Sequence, residues 1–272
     1  MNLENYFISQ FVSKSIGDDA AIKGQYAYSK DAFYENVHFK KEWMTHKQIA
    51  QKAMLVNISD AIAMNAQPLY ALLSVAMPKN ITKGEMHALV EGFESIAKAY
   101  GIEIIGGDTI SNTKLDITVT IISKVKRPLM RANIREGYLL AYTGTLGNSA
   151  KDLKKLFNLG NIHQKSKFVD IKLRDTFVSQ SERLLKAGMD ISDGLASDLN
   201  KLALANTLGF EFTHKMNKSV LCSGEEYEML VAFDKRDKKA VLRRAKQSRT
   251  KLTIFANAKR TQYKNGCKAN HF

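Results

Sequence analysis

Several features that would narrow the function are missing from this chain. It has two cysteines, Cys222 and Cys267, which provide neither a disulfide framework nor a metal-ligand spacing, so a reducing cytoplasm is the expected compartment. No apolar run approaches the roughly 18 residues a membrane helix needs. The start, Met1-Asn2-Leu3-Glu4-Asn5, lacks the basic region and apolar core of a signal peptide. Histidine and cysteine are too sparse and scattered for a zinc centre. No nucleophile-elbow motif is present, which argues against a Ser/His/Asp hydrolase. The Gly-rich turn Thr143-Gly144-Thr145-Leu146-Gly147-Asn148 does not match the Gly-x-x-x-x-Gly-Lys-Ser/Thr phosphate loop.

What is present describes a globular protein. The 272 residues are 44% hydrophobic and 25% charged, enough for one large domain or two ordinary ones. The net charge of +14 invites a nucleic-acid reading. Its distribution argues against one. From Asp234 onward there are 13 Lys/Arg and 2 Asp/Glu, so only +3 belongs to everything before. No aromatic-rich ribbon or helix-turn-helix pattern accompanies the charge, and attraction of small anionic substrates is an equal use of it.

The periodicity predicts an α/β chain. A short amphipathic helix covers residues 3–12, and strand material runs from Tyr26 to Phe39. A helix over residues 46–66 carries Ile49, Ala53, Val56, Asp60 and Met64 on one stripe, which puts a carboxylate on the apolar face. Residues 69–76 read as a buried strand. Thr82 and Glu85 open a further helix as a capping box, Gly101 closes it, and residues 102–105 form a strand. Another strand spans 115–125. The polar stretch Arg131–Gly137 marks a boundary, dividing the chain into residues 1–133 and 134–272. Beyond it, strands are expected at 138–142, 209–213, 229–233 and 251–256. Helices are expected near 149–159 and at 174–188, 195–208 and 237–248.

The informative residues are acids. Asp18, Asp19, Asp31, Asp60, Asp108, Asp190 and Asp193 each border an apolar strand or helix end, although the chain is basic. Clustered carboxylates raise one another's pKa unless cations lie between them. Oxygen-only ligands suit Mg²⁺, which usually bridges to substrate phosphates. Taken singly, each stretch has a plainer reading: an Asp-rich turn at Asp18-Asp19, a helix cap at Asp193, a surface residue at Asp198.

Seven motifs in one order are more specific. Ile16-Gly17-Asp18-Asp19-Ala20-Ala21, Asp31 with Val37-His38-Phe39, and Lys52-Ala53 through Val56-Asn57-Ile58-Ser59-Asp60 resemble the thiamine-monophosphate kinase family. So do Gly106-Gly107-Asp108-Thr109, Tyr142-Thr143-Gly144-Thr145-Leu146-Gly147, Asp190-Ile191-Ser192-Asp193-Gly194-Leu195 and Gly224-Glu225-Glu226-Tyr227-Glu228. The resemblance implies the two-domain fold of the aminoimidazole-ribonucleotide synthetase superfamily, its N-terminal sheet pairing across a homodimer into a barrel. It implies phosphoryl transfer from ATP to thiamine monophosphate. By position, Asp19, Ser29, Asp31, Asp60, Asp108, Asp190 and Asp193 look like Mg²⁺ ligands. By the same resemblance, Asp19, Asp60, Asp108 and Asp193 would carry the catalytic role. Gly107, Asp108, Arg131 and Ser192 look like ATP contacts, and His38 and Glu225 like substrate contacts.

There are departures. Lys30 stands where the family has a threonine and could displace a metal or replace its charge. The family's C-terminal tryptophan is missing, Trp43 being the only one, with Tyr263 and Phe272 as candidate replacements. An Arg/Pro-rich stretch before Arg174 is also missing. Two alternatives stay open: another ATP-using enzyme of the superfamily, of the purine-pathway or selenophosphate synthetase type, and a basic nucleic-acid-binding protein with a degenerate site.

Overall fold

A computed structural model describes residues 3–13 and 15–267. After a short helix α1 (Leu3–Ser9), the first half builds a five-stranded sheet. Its strands are β1 (Ala21–Lys23), β2 (Tyr26–Tyr34), β3 (Gln67–Pro78), β4 (Glu103–Asn112) and β5 (Asp116–Lys124), in the order β1-β2-β5-β3-β4. All pairs are antiparallel except β3 with β4. The parallel pair needs a crossover, and α3 (Lys83–Tyr100) supplies it. Thr82 and Glu85 form the predicted capping box of α3, and Gly101 ends it in the left-handed region.

Helix α2 (His46–Ala63) packs on β2 and β5 and is itself covered by α3. It is buried almost all round, which explains why an apolar stripe alone underdescribes it. Strand alternation sorts the residues of β2: Ala27, Ser29 and Phe33 turn toward α2, while Tyr28 and Lys30 turn to the other face. Among the described residues, that other face carries no helix. Tyr28, Tyr70 and Leu72 are each more than a third exposed there.

The strand expected over residues 102–105 runs further, through residues 106–109. They lie within β4, which continues to Asn112 in register with β3. A Cβ on Gly107 would run into the Leu73 carbonyl, so the close approach of the two strands requires glycine.

The second half is another five-stranded sheet, ordered β7-β9-β6-β10-β8 and wholly antiparallel. Its strands are β6 (Leu139–Thr143), β7 (Leu185–Asp190), β8 (Gly209–Phe212), β9 (Met229–Phe233) and β10 (Leu252–Lys259). Helices α4 (Asn148–Phe157), α5 (Asp175–Gln180), α6 (Leu195–Asn206), α7 (Lys218–Leu221) and α8 (Lys238–Gln247) complete it. The helix expected over 174–188 is corrected to the six residues of α5 followed by β7. Pairing with the fully buried β9 overrides the local helical pattern there.

One apolar cluster joins the halves, uniting Phe33, Ile58 and Ile121 with Leu129, Val231 and Phe233. A second, with Leu140, Met189, Leu199 and Phe255, underlies α6. The two cysteines are also corrected. Cys222 and Cys267 are joined as a disulfide with Cα atoms 5.5 Å apart, a pairing hidden by a sequence separation of 45 residues. It fastens the C-terminal segment to the end of α7.

Candidate active site

Three acids from three separate segments meet at the junction of the halves. Asp19 precedes β1, Asp60 sits near the end of α2, and Asp190 ends β7. One oxygen from each lies within 4.8 Å of the others. Each is held by its surroundings. Asp190 Oδ2 accepts from the Ser59 hydroxyl at 2.6 Å, which ties α2 to β7. Asp19 pairs with the Arg131 guanidinium, whose Nη1 also donates to the Gly17 carbonyl at 3.1 Å. The Arg131 amide donates to Asp18 Oδ1 at 2.6 Å.

Asp31 and Ser29 flank this group on β2. The Asp31 amide donates to Asn57 Oδ1 at 2.6 Å, and the Ser29 hydroxyl donates to the Asn57 carbonyl at 3.2 Å. Asn57, one turn before Asp60, thereby anchors β2 to α2.

The electrostatics are those of a site built for a cation. Burial, and then Asp31, Asp190 and Asp19, push the Asp60 carboxyl well above its ordinary value near 3.8. Burial and Asp19 do the same to Asp190, with the Ser59 hydrogen bond opposing them. Burial raises Asp19 despite Arg131. Asp19 Oδ2 is buried without a hydrogen-bond partner. An orphaned carboxylate oxygen beside two other carboxylates fits a hard divalent ion such as Mg²⁺.

These shifts carry a stability prediction. A carboxyl that binds its proton more tightly in the folded protein than in the unfolded chain destabilises the fold as pH rises above its ordinary pKa. In EDTA, the melting temperature should therefore decline as pH rises above the ordinary carboxylate range, and saturating Mg²⁺ should flatten that slope. Asp190→Asn should show a shallower decline in EDTA than the wild type. Equal slopes in the two proteins would contradict the burial of charge described above.

Asp193 and Asp198 form a neighbouring pair. Lys201 Nζ lies 2.7 Å from Asp193 Oδ2 and 2.8 Å from Asp198 Oδ1. Burial works against the Lys201 ammonium, but the two carboxylates outweigh it and hold its pKa above the ordinary lysine value. Asp198 is fully buried, not a surface residue, and Asp193 does not cap α6.

Asp108 and Gly107 lie apart from the acid cluster. Both belong to β4, where Asp108 is exposed in register with Ser74 on the helix-free face of the sheet. Lys30 does not approach the acids either. Its Nζ reaches Thr118 Oγ1 at 3.4 Å on that same helix-free face, because its neighbours Ser29 and Asp31 take the other side.

A cavity of about 430 Å³ opens beside the cluster and gathers His38, Ser192 and Glu225. Glu225 has φ of 55°, a conformation costing about 1–3 kcal/mol outside glycine. Its amide donates to the Ser192 carbonyl at 2.7 Å, and the Tyr227 amide to the Ile191 carbonyl at 2.9 Å, so two predicted segments are laced together. His38 Nδ1 accepts from the Tyr34 amide at 3.0 Å, which places the proton of a neutral ring on Nε2.

Below this lies a buried network that sequence reasoning missed. Glu228 accepts from Arg174 through both oxygens at 2.7 Å and from Thr143 Oγ1 at 2.7 Å. Glu226 accepts from the Gly147 amide at 2.7 Å. A Cβ on Gly144 would strike the Glu228 carboxylate, so the Gly-rich turn exists to wrap an acid of the chain itself. Arg174 and Lys167 supply the cations, although no Arg/Pro-rich stretch precedes them. Lys52 was also missed. It is fully buried in α2 with Nζ 2.6 Å from Glu225 Oε2. A lysine set within the largely apolar run of residues 49–64 is the signal that could have revealed it.

Two β-sheets meeting at a buried carboxylate cluster define the class. Residues 17–125 match the model of the AIR synthase related protein, N-terminal domain. The thiamine-monophosphate kinase of Bacillus subtilis is 34% identical over 75% of this chain and 68% of its own length. That of Buchnera aphidicola subsp. Schizaphis graminum is 31% identical over 82% of this chain and 78% of its own. The chain belongs to the thiamine-monophosphate kinase family. A solved structure described as AaThiL complexed with AMPPCP and TMP superposes with a TM-score of 0.84, covering 99% of this chain and 93% of that one at 24% identity. That likeness concerns the fold.

Proposed function

We propose that this chain transfers the γ-phosphoryl group of ATP to thiamine monophosphate, forming thiamine diphosphate by direct in-line transfer. The observation that carries the reading is the convergence of Asp19, Asp60 and Asp190 from distant segments beside a cavity lined by His38, Ser192 and Glu225. The relatives named as thiamine-monophosphate kinases support it over the other superfamily activities and over nucleic-acid binding.

The residues suit this chemistry. The acceptor is a phosphate monoester whose second pKa is near 6, so it is already an anion and needs no general base. What it needs is alignment of two polyanions and neutralisation of their charge. Arg131 offers a fixed guanidinium to the nucleotide phosphates from its place against Asp19. Ser192 lines the same cavity as His38 and Glu225; it would contact the nucleotide, while His38 and Glu225 would hold the acceptor. Asp19, Asp60 and Asp190 would hold Mg²⁺, with Ser29, Asp31 and Asp193 around them. Bound there, Mg²⁺ would supply the positive charge that offsets what develops on the transferring phosphoryl group.

The domain division we propose is 1–133 for nucleotide, metal and dimer contacts and 134–272 for the second α/β unit. The helix-free face with Tyr28, Tyr70 and Leu72 would pair with a second subunit to close a barrel, setting Asp108 at the subunit boundary. Use of ATP favours a cytoplasmic enzyme, where the Cys222–Cys267 bond would meet reductants.

The test is ADP release by the purified protein. Release is expected when ATP, Mg²⁺ and thiamine monophosphate are present together, and none when any one is left out. Turnover with a different phosphate acceptor but none with thiamine monophosphate would move the reading to another enzyme of the superfamily.

A further inference from the structure

We propose that Phe157, braced by Trp43, is the wall that recognises the pyrimidine ring of the acceptor and so sets specificity in this chain. The proposal rests on the kinase reading above and extends it to residues outside the motifs that carried that reading.

The acceptor cavity has a polar side and an aromatic side. His38, Ser192 and Glu225 form the first; Trp43, Phe157 and Phe168 form the second. Trp43 meets Phe157 edge to face, centroids 5.1 Å apart at 86°, and meets Phe168 at 6.0 Å and 75°. Phe168 is fully buried, so it supports Trp43 from behind. Phe157 is different. It ends α4 at the cavity rim and is 61% exposed, a phenyl ring held in orientation by Trp43 yet left largely in water. Covering such a ring with a heteroaromatic one is favoured by burial and by the quadrupoles of both rings. The cavity volume of about 430 Å³ suits a ligand of that size.

Charge decides which ring lies there. Lys40 Nζ sits 5.4 Å from the Trp43 ring and 5.7 Å from the Phe157 ring. An ammonium at that distance repels the cationic thiazolium and tolerates the neutral aminopyrimidine. The thiazolium is thereby directed toward the Glu225 side.

Of the two candidate replacements for the missing C-terminal tryptophan, Tyr263 is not part of the lining of this cavity. Its hydroxyl donates to the Ala196 carbonyl at 3.0 Å and its ring packs on Phe210, under the second sheet. Phe272 lies outside the described residues.

Trp43 is the only tryptophan in the sequence, so intrinsic fluorescence reads this wall directly. Thiamine monophosphate should change the wild-type emission saturably. The phosphate ester of the thiazole alcohol, which lacks the pyrimidine, should leave it unchanged while still inhibiting competitively. Phe157→Ala should raise KM for thiamine monophosphate about tenfold or more, with KM for ATP and Ki for the thiazole phosphate held. Unshifted KM in Phe157→Ala, beside an active wild type, overturns the wall and leaves the kinase reading intact. Equal weakening of the thiazole phosphate also overturns it, by showing that the substitution disturbed the whole cavity. A wild type that binds thiamine monophosphate at Trp43 without phosphorylating it supports the wall and removes the kinase reading. Absence of both binding and turnover removes both.

Discussion

Asp60→Asn is expected to reduce ADP release with thiamine monophosphate by about 10²–10³-fold or more, while the protein remains folded. The substitution keeps the shape of the side chain and removes its charge at the centre of the cluster. In the wild type, burial and the neighbouring Asp31, Asp190 and Asp19 make the ionised Asp60 costly. A side chain kept in so unfavourable a place pays off only when a cation accompanies the nucleotide. The amide loses that function and relieves the repulsion. Two measurements should therefore move in opposite directions: turnover falls, and the melting temperature in EDTA at neutral pH rises. Falling turnover with a falling melting temperature would point to a packing defect instead. Wild-type turnover would remove Asp60 from the proposed ligand set.

The acid cluster was legible in the sequence because its members sit at apolar strand and helix ends, where a lone carboxylate is expensive. Asp60 on the stripe with Ile49, Ala53 and Val56 could be placed facing the core from spacing alone. What spacing cannot give is the partner of each acid. Ser59 to Asp190 spans 131 residues and Lys52 to Glu225 spans 173, so both contacts exist only after the two sheets pack. The same limit hid the disulfide, and it hid the strand β7 inside a helix-like pattern, since a strand buried on both faces owes its state to its neighbours. Asp108 shows the converse. Its motif was plain, yet strand register sends it to the helix-free face, away from Asp19, Asp60 and Asp190. For Lys30, a departure that reads as a change at the metal site becomes, through alternation along β2, a feature of that same helix-free face.

Glu225→Ala is expected to destabilise the protein by about 3–5 kcal/mol, on the order of a 10 °C fall in melting temperature, far more than loss of a rim contact would cost. The reason lies with its partner. Lys52 is fully buried while the Glu225 side chain is 23% exposed, so the two ends of the ion pair are not equivalent. Removing the carboxylate leaves an ammonium inside the protein beside the faces of Phe168, at 3.7 Å, and Phe33, at 5.7 Å, which offset little of its lost hydration. Removing the ammonium instead leaves a carboxylate that water can reach. Lys52→Met should therefore cost markedly less than Glu225→Ala, and adding Lys52→Met to Glu225→Ala should restore much of the lost stability. That sign of coupling separates a buried-charge penalty from the loss of two favourable contacts, which would make the double variant the worst of the three. Activity should follow a different order. Every variant that frees or removes Glu225 loses the acceptor contact, so the double variant is expected to be stable and still weak toward thiamine monophosphate. Recovery of both stability and KM in the double variant would show that Glu225 serves Lys52 alone and does not touch the acceptor.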